Sequence, residues 1–307
     1  PTHTRSSAAS DVYKRQKKLI NIFNMENLQG LIDSSLTLRT IPPMIPVLFY
    51  FLGTQSSLES IQTTFKDRKT FTYALLFQII TLPAIGLILS QIFSDSIFSL
   101  SIAVVLLAPG GFISGILTHF KDGNIPLSVT LTSITSLVSP LTTVLWLSLI
   151  SVNLDDFNFN ILQTFVQLAL LIFAPYMTGF YLNYKGVKIV KKTSPFLDKF
   201  LKIYILTITI TGPYELREPL INYFGESIIL VFSSIFSIYV LQNLTSKLTQ
   251  ISRVDDRTVL IEALCQNFPI VLTLSIILNI PEMAIFGIVY YLMTLIFVVP
   301  YSLIKTN

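Results

Sequence analysis

The sequence predicts an all-α integral membrane protein of about nine transmembrane helices, two of them interrupted and crossing within an inverted-repeat arrangement. Three observations carry that expectation. Hydrophobic residues make up 52% of the 307-residue chain and charged residues 12%, whereas a soluble domain carries about 25% charged residues. The apolar residues fall in long blocks between short polar stretches, the pattern that a bilayer imposes on helices of roughly 20 residues. Two of these blocks carry a proline-bearing interruption, Ala108-Pro109-Gly110-Gly111 and Gln266-Asn267-Phe268-Pro269.

Residues 1–16 have no apolar periodicity and lack the apolar core of a signal peptide. Residues 1–24 are therefore expected to be a non-native or disordered leader, with Met25 as a plausible start and residues 25–307 as a single transmembrane domain. The leader holds Arg5, Lys14, Arg15, Lys17, Lys18 and Asp11, and setting these aside balances the formal charge of +4. The pI then carries no nucleic-acid implication. The one cysteine, Cys265, excludes an internal disulfide framework.

Eight blocks read as spans: 71–93, 97–120, 125–152, 161–182, 200–212, 220–244, 259–278 and 283–304. A ninth, 41–53, is short and carries Pro42, Pro43 and Pro46. Nine spans also segregate the basic residues, which short cytoplasmic loops retain. Alternate loops hold Lys66, Arg68 and Lys69, then Lys121, then Lys185 to Lys202, then Lys247, Arg253 and Arg257, and finally Lys305, while the other side has only Arg39 and Arg217. That places the C-terminus in the cytoplasm, in a plasma or inner membrane.

Proline removes a backbone donor and clashes with the preceding turn, so the 97–120 and 259–278 helices should break near mid-membrane. One more span follows each. A pair of broken helices at corresponding positions in two halves marks an inverted-repeat transporter. The expected parts are a core of 71–152 with 220–304 and a panel of 41–53 with 161–212.

Glu262 is the one carboxylate inside a well-defined span. A charge in hydrocarbon costs at least about 2.5–3.5 kcal/mol, so it must face a partner or a wet cavity. No Lys or Arg lies at comparable depth, and a cation from solution is the simplest partner that remains. Neutral oxygen donors of the kind a hard cation prefers lie around it in sequence. Gln266 is four residues on, Gln78 lies in the 71–93 span, Ser128 and Thr132 share a helix face, and Ser114 follows the Pro-Gly-Gly break. The half-helix N-termini made by the two breaks suit an anion.

At these residues the chain resembles the bile acid:sodium symporters. The likeness runs from Ala108-Pro109-Gly110-Gly111 through Ser114, Asp122-Gly123-Asn124, 127–132 and Ser139-Pro140, and resumes at Glu262 with Gln266-Asn267, a Glu-x-x-x-Gln-Asn motif. The resemblance implies sodium-coupled symport of an organic anion (a bile acid, steroid conjugate or small carboxylate). It also implies two sodium sites. One uses Gln78, Glu262, Gln266 and the carbonyls of Ala263 and Cys265; the other uses Ser114, Ser128, Thr132 and Glu262. Where the family has asparagine after the motif serine, this chain has Gly115, so the first set is expected to dominate. Phe112, Gly115 and Asn267 are the expected substrate contacts.

Two other readings stay open: a sodium-independent exporter or exchanger of arsenite or organic acids, which Gly115 favours, and a nontransporting membrane receptor. An enzyme is not expected. The sequence has no His-Glu-x-x-His, no Gly-x-Ser-x-Gly within a span and no two spans with paired aspartates. The oligomeric state is not encoded in any pattern found here.

Overall fold

The structure, a computed structural model, describes Gly30 and residues 33–153 and 159–304. The leader expected over residues 1–24 lies outside the described residues, as do Asp155, Asp156 and Lys305. Every element described is helical, and the one β-type pairing is a bridge between Gly110 and Gln266.

Helix α1 (Leu36–Gln55) begins five residues before the apolar block at 41 because Ser35 caps it, accepting from the Leu38 amide. It runs on through Pro42, Pro43 and Pro46, as membrane helices can. The short α2 (Leu58–Thr64) leads to α3 (Arg68–Ile92), capped by Asp67. Within α3 a π-turn, Phe77–Thr81, stands just before Pro83. Proline cannot donate to the carbonyl four residues back, and here that carbonyl, of Ile79, instead accepts from the indole N–H of Trp146 at 2.9 Å. The sole tryptophan thus repairs the helix that carries Gln78.

The 97–120 block is two half-helices, α4 (Ser99–Val105) and α5 (Ser114–Phe120). Helix α6 (Ile125–Asn153) follows without interruption at Pro140. Helix α7 (Ile161–Tyr184) carries a second π-turn, Ala169–Phe173, again just ahead of a proline, Pro175. Its second half lies along α1. A Cβ on Gly53 would strike the Tyr176 carbonyl, and one on Gly179 the Tyr50 carbonyl. Two facing glycines therefore let the backbones touch, the small-residue contact typical of helices in lipid.

Helix α8 (Lys188–Glu215) is where the structure departs most from the sequence expectation. The span at 200–212 is the second half of a 28-residue helix whose first half contains the basic stretch expected as a loop. That half is amphipathic, burying Val190 and Leu201 while its lysines stay outside. The far end of α8 is fastened to α1, where Glu215 accepts from Ser35 Oγ, from Thr37 N at 3.1 Å and from Thr37 Oγ1 at 2.9 Å.

Only Leu216 separates α8 from α9 (Arg217–Thr249). The 259–278 block is again two pieces, α10 (Arg253–Leu264) and α11 (Phe268–Ile277), followed by α12 (Pro281–Leu303). Among the described residues six helices are long and apolar enough to cross a bilayer, namely α1, α3, α6, α7, α9 and α12. Their outward faces carry Leu145, Leu149, Ile221, Phe232, Phe236 and Ile296, surface that suits lipid tails. The protein is a multi-pass integral membrane protein. By length and composition six helices qualify, against the nine expected, because α8 is too charged and each interrupted block is divided into short halves.

Candidate functional site

The site is built where the two interrupted blocks meet. Pro109 and its two following glycines end α4, and the chain is extended again at Cys265 to Asn267. Backbone groups freed at mid-membrane must find partners, and these find each other. Gly111 N donates to the Cys265 carbonyl at 2.6 Å, and Asn267 N donates to the Pro109 carbonyl at 2.9 Å. The two breaks therefore cross. A Cβ at Gly111 would lie 2.8 Å from the Gln266 carbonyl, and one at Gly110 would collide with Glu262 Oε2. The Gly-Gly pair is required by this close approach, not by a turn. Pro269 sits in the first turn of α11, where its missing N–H costs nothing.

Glu262, in the last turn of α10, is 2% exposed. One carboxylate oxygen accepts from Ser128 Oγ and the other from Thr132 Oγ1 at 2.9 Å. Ser128 and Thr132 are four residues apart on α6 and so share the face turned to α10. Ser114, fully buried at the start of α5, donates to the Gly111 carbonyl at 2.7 Å. Beside it, a Cβ on Gly115 would meet only Ser128 Oγ, at 3.8 Å. Ser114, Ser128, Thr132 and Glu262 are thus brought together. Among the described residues Glu262 has no ion-pair partner, and the one salt bridge joins Lys202 to Asp198.

The other expected cation set is only partly assembled. Gln266 Nε2 donates to the Ala263 carbonyl at 2.8 Å, which leaves Gln266 Oε1 buried without a protein partner. The Cys265 carbonyl is taken up by Gly111. Gln78 Nε2 is also buried and unpartnered. Its side chain lines a small separate cavity with Pro109, Thr135 and Trp146, and neither Glu262 nor Gln266 reaches that cavity. The donors present are a carboxylate, hydroxyls, an amide oxygen and carbonyls, which fit a hard monovalent or divalent cation. No cluster of three or more His, Cys, Asp and Glu suited to a transition metal exists among the described residues.

Next to the crossing is a cavity of about 230 Å³. One wall is Gly111, Phe112, Ser114, Gly115, Ser128 and Thr132; the facing wall includes Phe51 and Gln55 of α1 and Asp198 and Lys202 of α8. A second, more apolar cavity of about 240 Å³ shares Phe112, Ile116 and Lys202 with it and continues along Leu206, Tyr291 and Leu295. Phe112 and Gly115 both line the first of these cavities. Asn267 does not. It is fully buried behind the crossing, where its Oδ1 caps α11 by accepting from Ile270 N at 3.3 Å while its Nδ2 has no partner. Lys202 was missed by sequence reasoning because it fell in the supposed basic loop. The pairing of Asp198 with Lys202 at helical spacing, followed by Ile205, Leu206 and Thr209, is the signal that places it on a helix face.

Two interrupted helices that cross inside a multi-pass bundle, with a lone carboxylate among hydroxyls at the crossing, define the membrane-transporter class of architecture. The chain belongs to the Sodium Bile acid symporter family, whose profile matches residues 42–220. That match runs from within α1 to the start of α9, including the α4–α5 break, Ser128 and Thr132. No curated protein matches the chain.

Proposed function

We propose that this protein is a secondary active transporter that moves an organic anion together with sodium. One observation carries the reading: the buried Glu262 carboxylate accepts from the hydroxyls of Ser128 and Thr132 and has no cationic partner among the described residues, although an unpaired charge in a low-dielectric interior is expensive. Sodium is the co-substrate that completes it. Ser128 and Thr132 present their oxygen lone pairs once their protons turn away from the carboxylate, and Ser114 adds a third hydroxyl; Gln266 Oε1, Gln78 and the carbonyls of Ala263 and Cys265 supply the second set. The Ser114, Ser128 and Thr132 set converges on Glu262 at the crossing, and Gln266 lies on the second break itself, so cation occupancy would fix the relative position of the two breaks.

In this reading the chain crosses the bilayer nine times. The three passes beyond the six long apolar helices are α8 and the interrupted pairs α4–α5 and α10–α11. The core is α3 to α6 with α9 to α12, and α1, α7 and α8 form the panel. The two interrupted pairs occupy corresponding places in two inverted repeats, and the C-terminus is cytoplasmic. The cavity between the core wall at Gly115 and the panel wall at Lys202 is the anion path. Alternating access then needs only a rigid shift of panel against core, gated by whether the crossing is filled.

Gly115 favours one competing reading. Without an amide oxygen beside Ser128 a sodium-independent exchanger of the same family is coherent. Uptake of a labelled panel of bile acids, steroid sulfates and small carboxylates into proteoliposomes, with sodium or choline outside, separates the two. Sodium-stimulated uptake of an anion is expected, equal uptake in choline would favour the exchanger, and no uptake of any anion would leave the receptor reading standing.

A further inference from the structure

We infer that Lys202 receives the anionic group of the substrate; this rests on the transporter reading above. Lys202 is the one lysine or arginine that lines either cavity beside the crossing, and it lines both, at their junction. Its ammonium is held by Asp198 Oδ2 at 2.7 Å, one turn back on α8, with side chains 49% and 39% exposed. A partly exposed pair of this spacing contributes little, so exchanging Asp198 for a carboxylate, sulfonate or sulfate oxygen of a ligand costs little. The remaining lining sorts into two chemistries. Towards the crossing it offers Ser128 and the small residues Gly111 and Gly115; away from it the second cavity is mostly apolar, with the hydroxyls of Thr209 and Tyr291. Asp198 has a role of its own in this scheme. Its carboxylate lines the same cavity and repels an anion unless Lys202 neutralises it, so Asp198 is a competitor that keeps the ammonium oriented when substrate is absent.

The test is equilibrium binding of radiolabelled taurocholate, an amphipathic sulfonate, to the purified protein in lipid nanodiscs, where both faces are open. Thermal stabilisation by sodium is recorded on the same samples. Lys202→Ala is expected to raise the dissociation constant about tenfold or more, as loss of a charge-assisted hydrogen bond does, without altering the sodium-induced stabilisation. Lys202→Arg should keep most of the affinity, and Asp198→Asn should tighten binding a few-fold by removing the competing carboxylate. Equal affinity in Lys202→Ala and the unmodified protein, or tight taurocholate binding abolished equally by Lys202→Arg, overturns the assignment while leaving sodium coupling intact. Absence of taurocholate binding to the unmodified protein also overturns it, and if members of the anion panel still enter proteoliposomes with sodium, the transporter reading survives that result.

Discussion

Glu262 was legible in the sequence because an isolated carboxylate inside an apolar run has few physical explanations, and its surroundings narrow them further. Replacing it with glutamine keeps the shape and lets Ser128 and Thr132 keep hydrogen-bond partners. Glu262→Gln is expected to reduce sodium-stimulated uptake at least about tenfold with the melting temperature unchanged or slightly raised, since an uncompensated buried charge has been removed. Gly110→Ala probes the same carboxylate without touching a ligand. Its methyl group would collide with Glu262 Oε2 and crowd Thr132 Oγ1, so sodium affinity should fall while the fold, which meets only a movable side chain there, survives. At Gly115 the surroundings are open, and an asparagine has room to place an amide oxygen beside Ser128. The unmodified protein is expected to show a nearly hyperbolic sodium dependence, with a Hill coefficient of about one, and Gly115→Asn a steeper one. A steep curve in the unmodified protein that Ser128→Ala and Thr132→Ala leave alone would remove that explanation. Both carboxylate oxygens are held from the Ser128 side, a geometry that the spacing of Gln78, Glu262 and Gln266 alone did not reveal. The role of Asn267 as the cap of α11 was equally hidden, because capping depends on where the chain re-enters a helix and not on residue type alone.

At the level of elements, the interruptions were readable because proline and glycine act locally. Pro109-Gly110-Gly111 and the segment before Pro269 both break as their chemistry dictates. Helix α8 was not readable in full. Its first half pairs a basic outer face with a few buried apolar residues, and a hydropathy scan sees only the second half, whereas Leu201 and Val190 reveal a buried stripe once the helix period is applied. Two contacts between elements are open to direct test. Gly179→Val is expected to destabilise the α1–α7 packing by about 1–3 kcal/mol, the usual cost of overpacking, read as a lowered melting temperature in detergent with loss of monodispersity. Trp146→Phe keeps an aromatic ring but leaves the Ile79 carbonyl without its donor, at a cost of about 1 kcal/mol; because that carbonyl shares the π-turn with Gln78, sodium affinity should weaken in parallel. At the start of α3 the Thr70 hydroxyl and amide hold the Asp67 carboxyl below its usual range. A carboxyl with a lowered folded-state pKa contributes stability above its unfolded value and loses it as the pH falls through the folded one. This cap should therefore weaken only in acid, below about pH 4.

For the whole molecule, the segregation of lysine and arginine in the sequence predicts one membrane orientation. The shape of the cavity could not be read that way. It depends on how α8 leans on the core, and its walls come from α1, α5, α6 and α8, which lie far apart in sequence. The orientation is testable because Cys265 is the sole cysteine and is buried, so an exposed cysteine can be added and labelled without removing it. Asp95→Cys is expected to react with an impermeant maleimide from outside intact cells and Lys185→Cys only after permeabilisation; the reverse pattern would invert the molecule. The most direct measurement is equilibrium binding of radiolabelled sodium to the purified protein, unmodified and with Glu262→Gln. Saturable binding in the unmodified protein that disappears in Glu262→Gln, with both proteins equally folded, is the expected result. Binding retained by Glu262→Gln at the same affinity, or absent from the unmodified protein, would contradict a sodium-coupled mechanism centred on that carboxylate.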